Sequence, residues 1–125
     1  MKGSPVSWLC VGLTVVLTIY GQMVVKWQIL QRGHLPASLQ GKFAFYVSFF
    51  LNPWVVSVLL ATGVAAVSWV TALSRLELSR AYPFTALSFV TVLLLSGVFF
   101  DEAITPAKLA GIALVVAGLV VGAGL

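Results

Sequence analysis

Charge is what this sequence has least of: charged residues are 8% of 125, hydrophobic residues are 61%, and the mean hydropathy is +1.11. A soluble domain carries roughly 25% charged residues, so the scarcity excludes that class and predicts an integral membrane protein. A single cysteine, Cys10, rules out a disulfide within the chain, and its place inside an apolar run gives it the role of a small hydrophobe. The one histidine, His34, stands alone in a loop-like stretch. The three acids are Glu77, Asp101 and Glu102, and no metal-ligand cluster or glycine-rich phosphate loop accompanies them. Nor is there a nucleophile with a base and a third orienting group, so neither an enzyme nor a cofactor is expected. The net charge of +4 comes from seven Lys and Arg spread along the chain, which favours lipid head groups and anionic ligands over nucleic acid.

What the sequence does have is apolar runs of membrane-spanning length. They predict an all-α fold: four transmembrane helices over about 6–28, 54–73, 80–100 and 106–124 in one domain covering 1–125. The first run is too long for the core of a signal peptide and lacks a small-residue cleavage site, so it is read as a mature span. Ser4-Pro5, Asn52-Pro53 and Thr105-Pro106 each read as a cap followed by a first helical residue. Between spans one and two, Leu35, Leu39, Phe43, Tyr46, Val47 and Phe50 recur at helical spacing, which predicts an amphipathic interfacial helix over about 36–50. In the third span Pro83 leaves the Ser79 carbonyl without its helical N–H partner. In the last, Gly111 and Gly118 lie seven residues apart on one face, with Gly122 four further on. Small residues so spaced let backbones approach closely, either for another helix of this chain or for a second subunit.

Polar residues inside a span are costly and normally face a cavity or a bundle interior. In the first span Thr14, Thr18, Gln22 and, less well aligned, Lys26 recur every fourth residue, and the stripe is read as cavity lining. The competing reading has the threonine hydroxyls bonded back to the preceding turn and Lys26 reaching out to the interface. Ser68 and Trp69 are candidates to line the same cavity. The loop 74–80 is the most charged stretch; Arg75 and Arg80 are placed to hold a phosphate, with Glu77 free to pair with either, or else the arginines mark the cytoplasmic side. With four spans, Lys2, Arg75 and Arg80 share one side of the membrane while Arg32, Lys42 and Lys108, with Lys26 nearby, share the other. That balance gives almost no positive-inside bias and permits insertion in either orientation.

Taken together, Tyr20-Gly21-Gln22 with Lys26, Ala81-Tyr82-Pro83 with Leu87-Ser88-Phe89-Val90, and Phe100-Asp101-Glu102 with Gly111 and Gly118 resemble the four-helix members of the drug/metabolite transporter superfamily. The resemblance covers nearly the whole chain except the interfacial helix. Two branches compete. The small multidrug resistance exporters are similar in the Gly21-to-Lys26 spacing and in the paired glycines, which there form the contact of an antiparallel homodimer. They depend on a glutamate three residues before the glycine, a position held here by Thr18. The aminoarabinose–undecaprenyl phosphate flippase subunits, with Gly-Gln and a nearby lysine in span one and Ala-Tyr-Pro opening span three, are more similar. That resemblance implies a multi-pass protein of the bacterial inner membrane translocating a polyprenyl phosphate-linked sugar, as a homodimer or with a similar four-helix partner. With that function the residues themselves nominate Thr18, Gln22, Lys26, Trp69, Arg75, Glu77, Arg80 and Tyr82 for substrate binding, and Gly111 and Gly118 for the subunit interface. The alternatives are an exporter of small cations or metabolites and a non-transporting assembly subunit whose polar stripe glues helices together.

Overall fold

The structure, a computed structural model, describes residues 5–122, so Lys2, the Ser4 cap and the last residues of the fourth run lie outside the described part. The described residues are helical with short connections. The helices are α1 Pro5–Arg32, α2 Leu39–Phe50, α3 Pro53–Leu73, the short α4 Leu78–Ala81, α5 Ala86–Phe99 and α6 Pro106–Gly122, with a 3₁₀ turn over Tyr82–Thr85 between α4 and α5. Three stretches have the length and apolarity to cross a membrane: α1, α3, and Leu78–Phe99 taken as one. The helix α6, with 17 described residues, is apolar but shorter.

Local chemistry accounts for most boundaries. Asn52 caps α3 through a 2.9 Å bond from the Trp54 N–H to Oδ1, with Pro53 in the first turn. Thr105 does the same for α6, its Oγ1 accepting from the Lys108 N–H. Ser38 caps α2 through the Gly41 N–H, so this helix begins at Leu39, later than the apolar repeat alone suggests. The end of α1 is a turn beyond the expected 28, because nothing before Gly33 breaks the helix; Gly33, at φ 83°, closes it by donating to the Ile29 carbonyl. The third run is not one regular helix. Lacking an N–H at Pro83, the chain tightens into the 3₁₀ turn and resumes as α5.

α1 and α3 form the main packed pair, α5 lies against α1, and α6 touches α5 and the 3₁₀ turn. Near the start of α1, Val11 packs with Ala72, Leu76 and Ala81, surrounded by Trp8, Cys10, Trp69, Leu73 and Phe84. Further along, the Tyr20 hydroxyl meets the Ser57 hydroxyl at 2.7 Å, and Trp27 sits edge-on to Trp54. Gly21 brings the backbones together between these points, since a Cβ there would lie 3.3 Å from Val58 Cγ1. Gly21→Leu is expected to wedge α1 from α3 and cost about 1–3 kcal/mol, read as a lowered midpoint in thermal unfolding in detergent. An unchanged midpoint would mean the pair does not depend on this approach.

Candidate functional site

The polar residues of α1 do not share one face. Helical rotation is about 100° per residue, so eight residues from Thr18 to Lys26 turn the stripe by about 80°. Thr18 and Gln22 line a groove of about 230 Å³ against Gly21, Val58, Thr62 and Ala65 of the α1–α3 pair. Lys26 has come round to the reversal between α5 and α6, where its Nζ is 3.5 Å from Glu102 Oε2. Both threonine hydroxyls bond back to the preceding turn, and only Thr18 also borders the groove. Thr14 donates to the Cys10 carbonyl and Thr18 to the Thr14 carbonyl.

The Lys26 end is shaped by the reversal. Asp101 takes a left-handed conformation, φ 52°, which Asp tolerates better than most residues, and the Glu102 N–H returns to the Ser96 carbonyl. Gly97 makes the reversal tight: a Cβ there would run into the Ile104 side chain. Chain direction is thereby turned back so that Glu102 reaches α1. An apolar groove of about 340 Å³ lies between Met23, Val24 and Trp27 of α1 and Phe99 and Phe100. A smaller cleft is bordered by Ser96, Glu102 and Lys108.

The opposite end gathers a second group. Glu77, Ser79, Arg80 and Pro83 line a cavity of about 470 Å³ together with Trp8 of α1 and Leu119 of α6. Arg80 lays its guanidinium over the Trp8 ring, 5.8 Å from the centroid, a contact that holds a cation while leaving its N–H donors free. Trp69 packs on the Val11 cluster and sits edge-on to Tyr82 at 6.1 Å; Tyr82 itself is 61% exposed. Arg75 is exposed on the same loop. The pairing of Glu77 with an arginine that its position allows does not form, because Arg80 is drawn to Trp8; among the described residues Lys26–Glu102 is the one ion pair. From Trp8 to Lys26 is eighteen residues, about 27 Å along α1, so Lys26 and Arg80 stand at opposite ends of the chain's longest helix.

Gly111 and Gly118 meet nothing within 4 Å of an added Cβ. Their face is thus not a groove for another helix of this chain. Trp8 and Ser79, which line the larger cavity, and Glu102, which pairs with Lys26, are residues that sequence reasoning did not place in the candidate site. Glu102 had a signal: it is one of three acids, and the alternation of spans puts its loop at the same end as Lys26. No group of metal-ligating residues occurs among the described residues.

The chain is 34% identical over 112 residues, 86% of its length and 88% of the relative's, to a Pseudomonas aeruginosa protein described as the probable 4-amino-4-deoxy-L-arabinose-phosphoundecaprenol flippase subunit ArnE. It is 31% identical over 117 residues to the ArnE counterpart of Aeromonas salmonicida, covering 94% of this chain and 96% of that one. With the subunit described as ArnF in Erwinia tasmaniensis it shares 37% identity over 116 residues, 85% of each chain. No protein-family model matches the chain, and no solved structure does. Three long apolar helices and these relatives make this a multi-pass membrane protein. With such identity across most of its length, the chain belongs to the family of aminoarabinose-phosphoundecaprenol flippase subunits.

Proposed function

We propose that this chain is a subunit of a flippase that carries an undecaprenyl phosphate-linked aminoarabinose across the bacterial inner membrane, with no chemical step and no cofactor. The chain crosses the membrane four times in this reading. The fourth crossing is α6, whose 17 described residues rise about 26 Å against a hydrocarbon core of about 30 Å. The helix α2 lies in the interface; Leu39, Phe43, Tyr46 and Phe50 are exposed to lipid, and Arg32 pins it by donating to the Ser48 hydroxyl and carbonyl at 2.9 and 3.0 Å. One observation carries the reading. Two cationic stations stand about 27 Å apart along α1, close to the hydrocarbon thickness, with the groove bordered by Thr18, Gln22 and Thr62 between them.

A charged head group cannot enter hydrocarbon unaided, so it needs polar contacts along its path while its tail remains in lipid. Lys26 and Arg80 receive the phosphate at the two ends, and Arg75 attracts it from the exposed loop. Thr18, Gln22 and the exposed Tyr82 hydroxyl bond to the sugar, Trp69 supports Tyr82, and Glu77 completes the polar wall beside Arg80. The apolar groove between Trp27 and Phe100 suits the polyprenyl tail beside the Lys26 station. The Thr18–Gln22 groove is open in the single chain, so a second copy or a similar four-helix partner closes it, meeting this chain in part at Gly111 and Gly118. Nothing in the site couples transport to hydrolysis, and consumption of the flipped lipid sets direction. Reconstitution with its partner subunit in vesicles should move an aminoarabinose-linked polyprenyl phosphate between leaflets, measured as the fraction accessible to an impermeant amine reagent. A rate equal to that of protein-free vesicles would overturn the reading.

A further inference from the structure

Two of this protein's three acids stand beside a site cation, one at each end of α1, and the third is used by the reversal itself. At one end Glu102 Oε2 is 3.5 Å from Lys26 Nζ, with the two side chains 41% and 44% exposed. At the other, Glu77 and Arg80 line one cavity of about 470 Å³, with the guanidinium held on Trp8 and the carboxylate in no ion pair among the described residues. A site for phosphate alone gains nothing from a carboxylate next to its cation, because like charges repel. A head group with a phosphate at one end and an ammonium at the other needs just such a couple.

We infer that Glu102 and Glu77 are specificity residues that bind the ammonium of the aminosugar, while Lys26 and Arg80 bind its phosphate, so that both stations recognise a zwitterion. This rests on the flippase reading above, and the relatives' described substrate carries a 4-amino group and a phosphate. The Lys26–Glu102 contact is long and partly exposed, so it is weak enough to be exchanged for substrate contacts. With no head group bound, the two side chains neutralise each other; on binding, each takes the opposite charge of the ligand. At the far end the couple is already apart, the cation waiting on Trp8. The acids thereby discriminate an aminated head group from one whose nitrogen is acylated and neutral, at the cavity mouths where the head group first loses water.

The test uses the full chain reconstituted with its partner subunit in phosphatidylethanolamine and phosphatidylglycerol vesicles. Flipping is compared for aminoarabinose phosphoundecaprenol and its N-acetylated form, each followed by loss from the outer leaflet to an enzyme-free lipid extraction. A charge-assisted contact is worth a factor of about ten or more, so the wild-type protein should favour the aminated lipid by at least about tenfold. Glu102→Gln and Glu77→Gln should each lower that ratio and together bring it close to one, by slowing the aminated lipid. Glu102→Asp and Glu77→Asp, which keep the charge, should retain a preference and show that loss of folding is not the cause. A wild-type ratio of one, or a double variant that slows both lipids equally and keeps the ratio, overturns the inference while leaving the flippase reading intact. If the wild type moves neither lipid, both fall.

Discussion

Glutamine in place of Lys26 is expected to slow flipping by about tenfold to a hundredfold, and Arg80→Gln by a similar factor, with the protein still folded. A charged contact to phosphate contributes roughly 1.5–3 kcal/mol, which converts to that range of rates. Neither side chain supports the packed core: Lys26 is partly exposed in its ion pair, and Arg80 is exposed with its guanidinium over Trp8. The double variant is the informative one. In the proposed path the two residues act at opposite ends, and the slower crossing limits the rate, so the double should match the slower single variant rather than the product of both defects. Lys26→Gln also leaves Glu102 uncompensated beside the phosphate. Flipping in vesicles at the wild-type rate in both singles and the double would reduce the two residues to interface anchors.

Leucine at both Gly111 and Gly118 is expected to convert the assembled flippase into separate chains in detergent and to abolish most of its transport. Within one chain the substitutions meet open space, so they strain nothing there and the fold should survive. In lipid the association of helices relies on close packing, and two leucines on a small-residue ridge hold the backbones apart. Light scattering coupled to size exclusion would read the change in mass, and circular dichroism the retained helix. An unchanged mass would mean that the ridge faces lipid and that subunits meet elsewhere.

Much of the fold could be read in the sequence because the membrane leaves few choices. Hydrocarbon demands apolar helices of a set length, and Asn52-Pro53 and Thr105-Pro106 mark starts that the structure realises as caps. The functional groups were legible as residue types and not as an arrangement. Thr18, Gln22 and Lys26 look like one stripe on paper, but the drift of about 80° sends Lys26 to a different neighbour. That neighbour, Glu102, is 76 residues away in sequence, and no local pattern connects the two; their meeting depends on Asp101 turning left-handed and on Gly97 admitting Ile104. Arg80 and Glu77, by contrast, are three residues apart and look like partners. Trp8, on another helix, takes the arginine instead.

The 3₁₀ turn at Tyr82–Thr85 sets the azimuth of everything that follows it. Four residues wound at three per turn advance about 480° instead of the α-helical 400°, and rise about 8 Å instead of 6 Å. The face that α5 shows to α1 is therefore displaced by nearly a quarter of a revolution from the face extrapolated from α4. Arg80, on one side of this phase slip, looks across the mouth of the cavity at Trp8, while α5, on the other side, runs on toward the far reversal and delivers Glu102 to Lys26. A single proline thus acts as an angular offset within one span, letting its two ends address different sectors of α1.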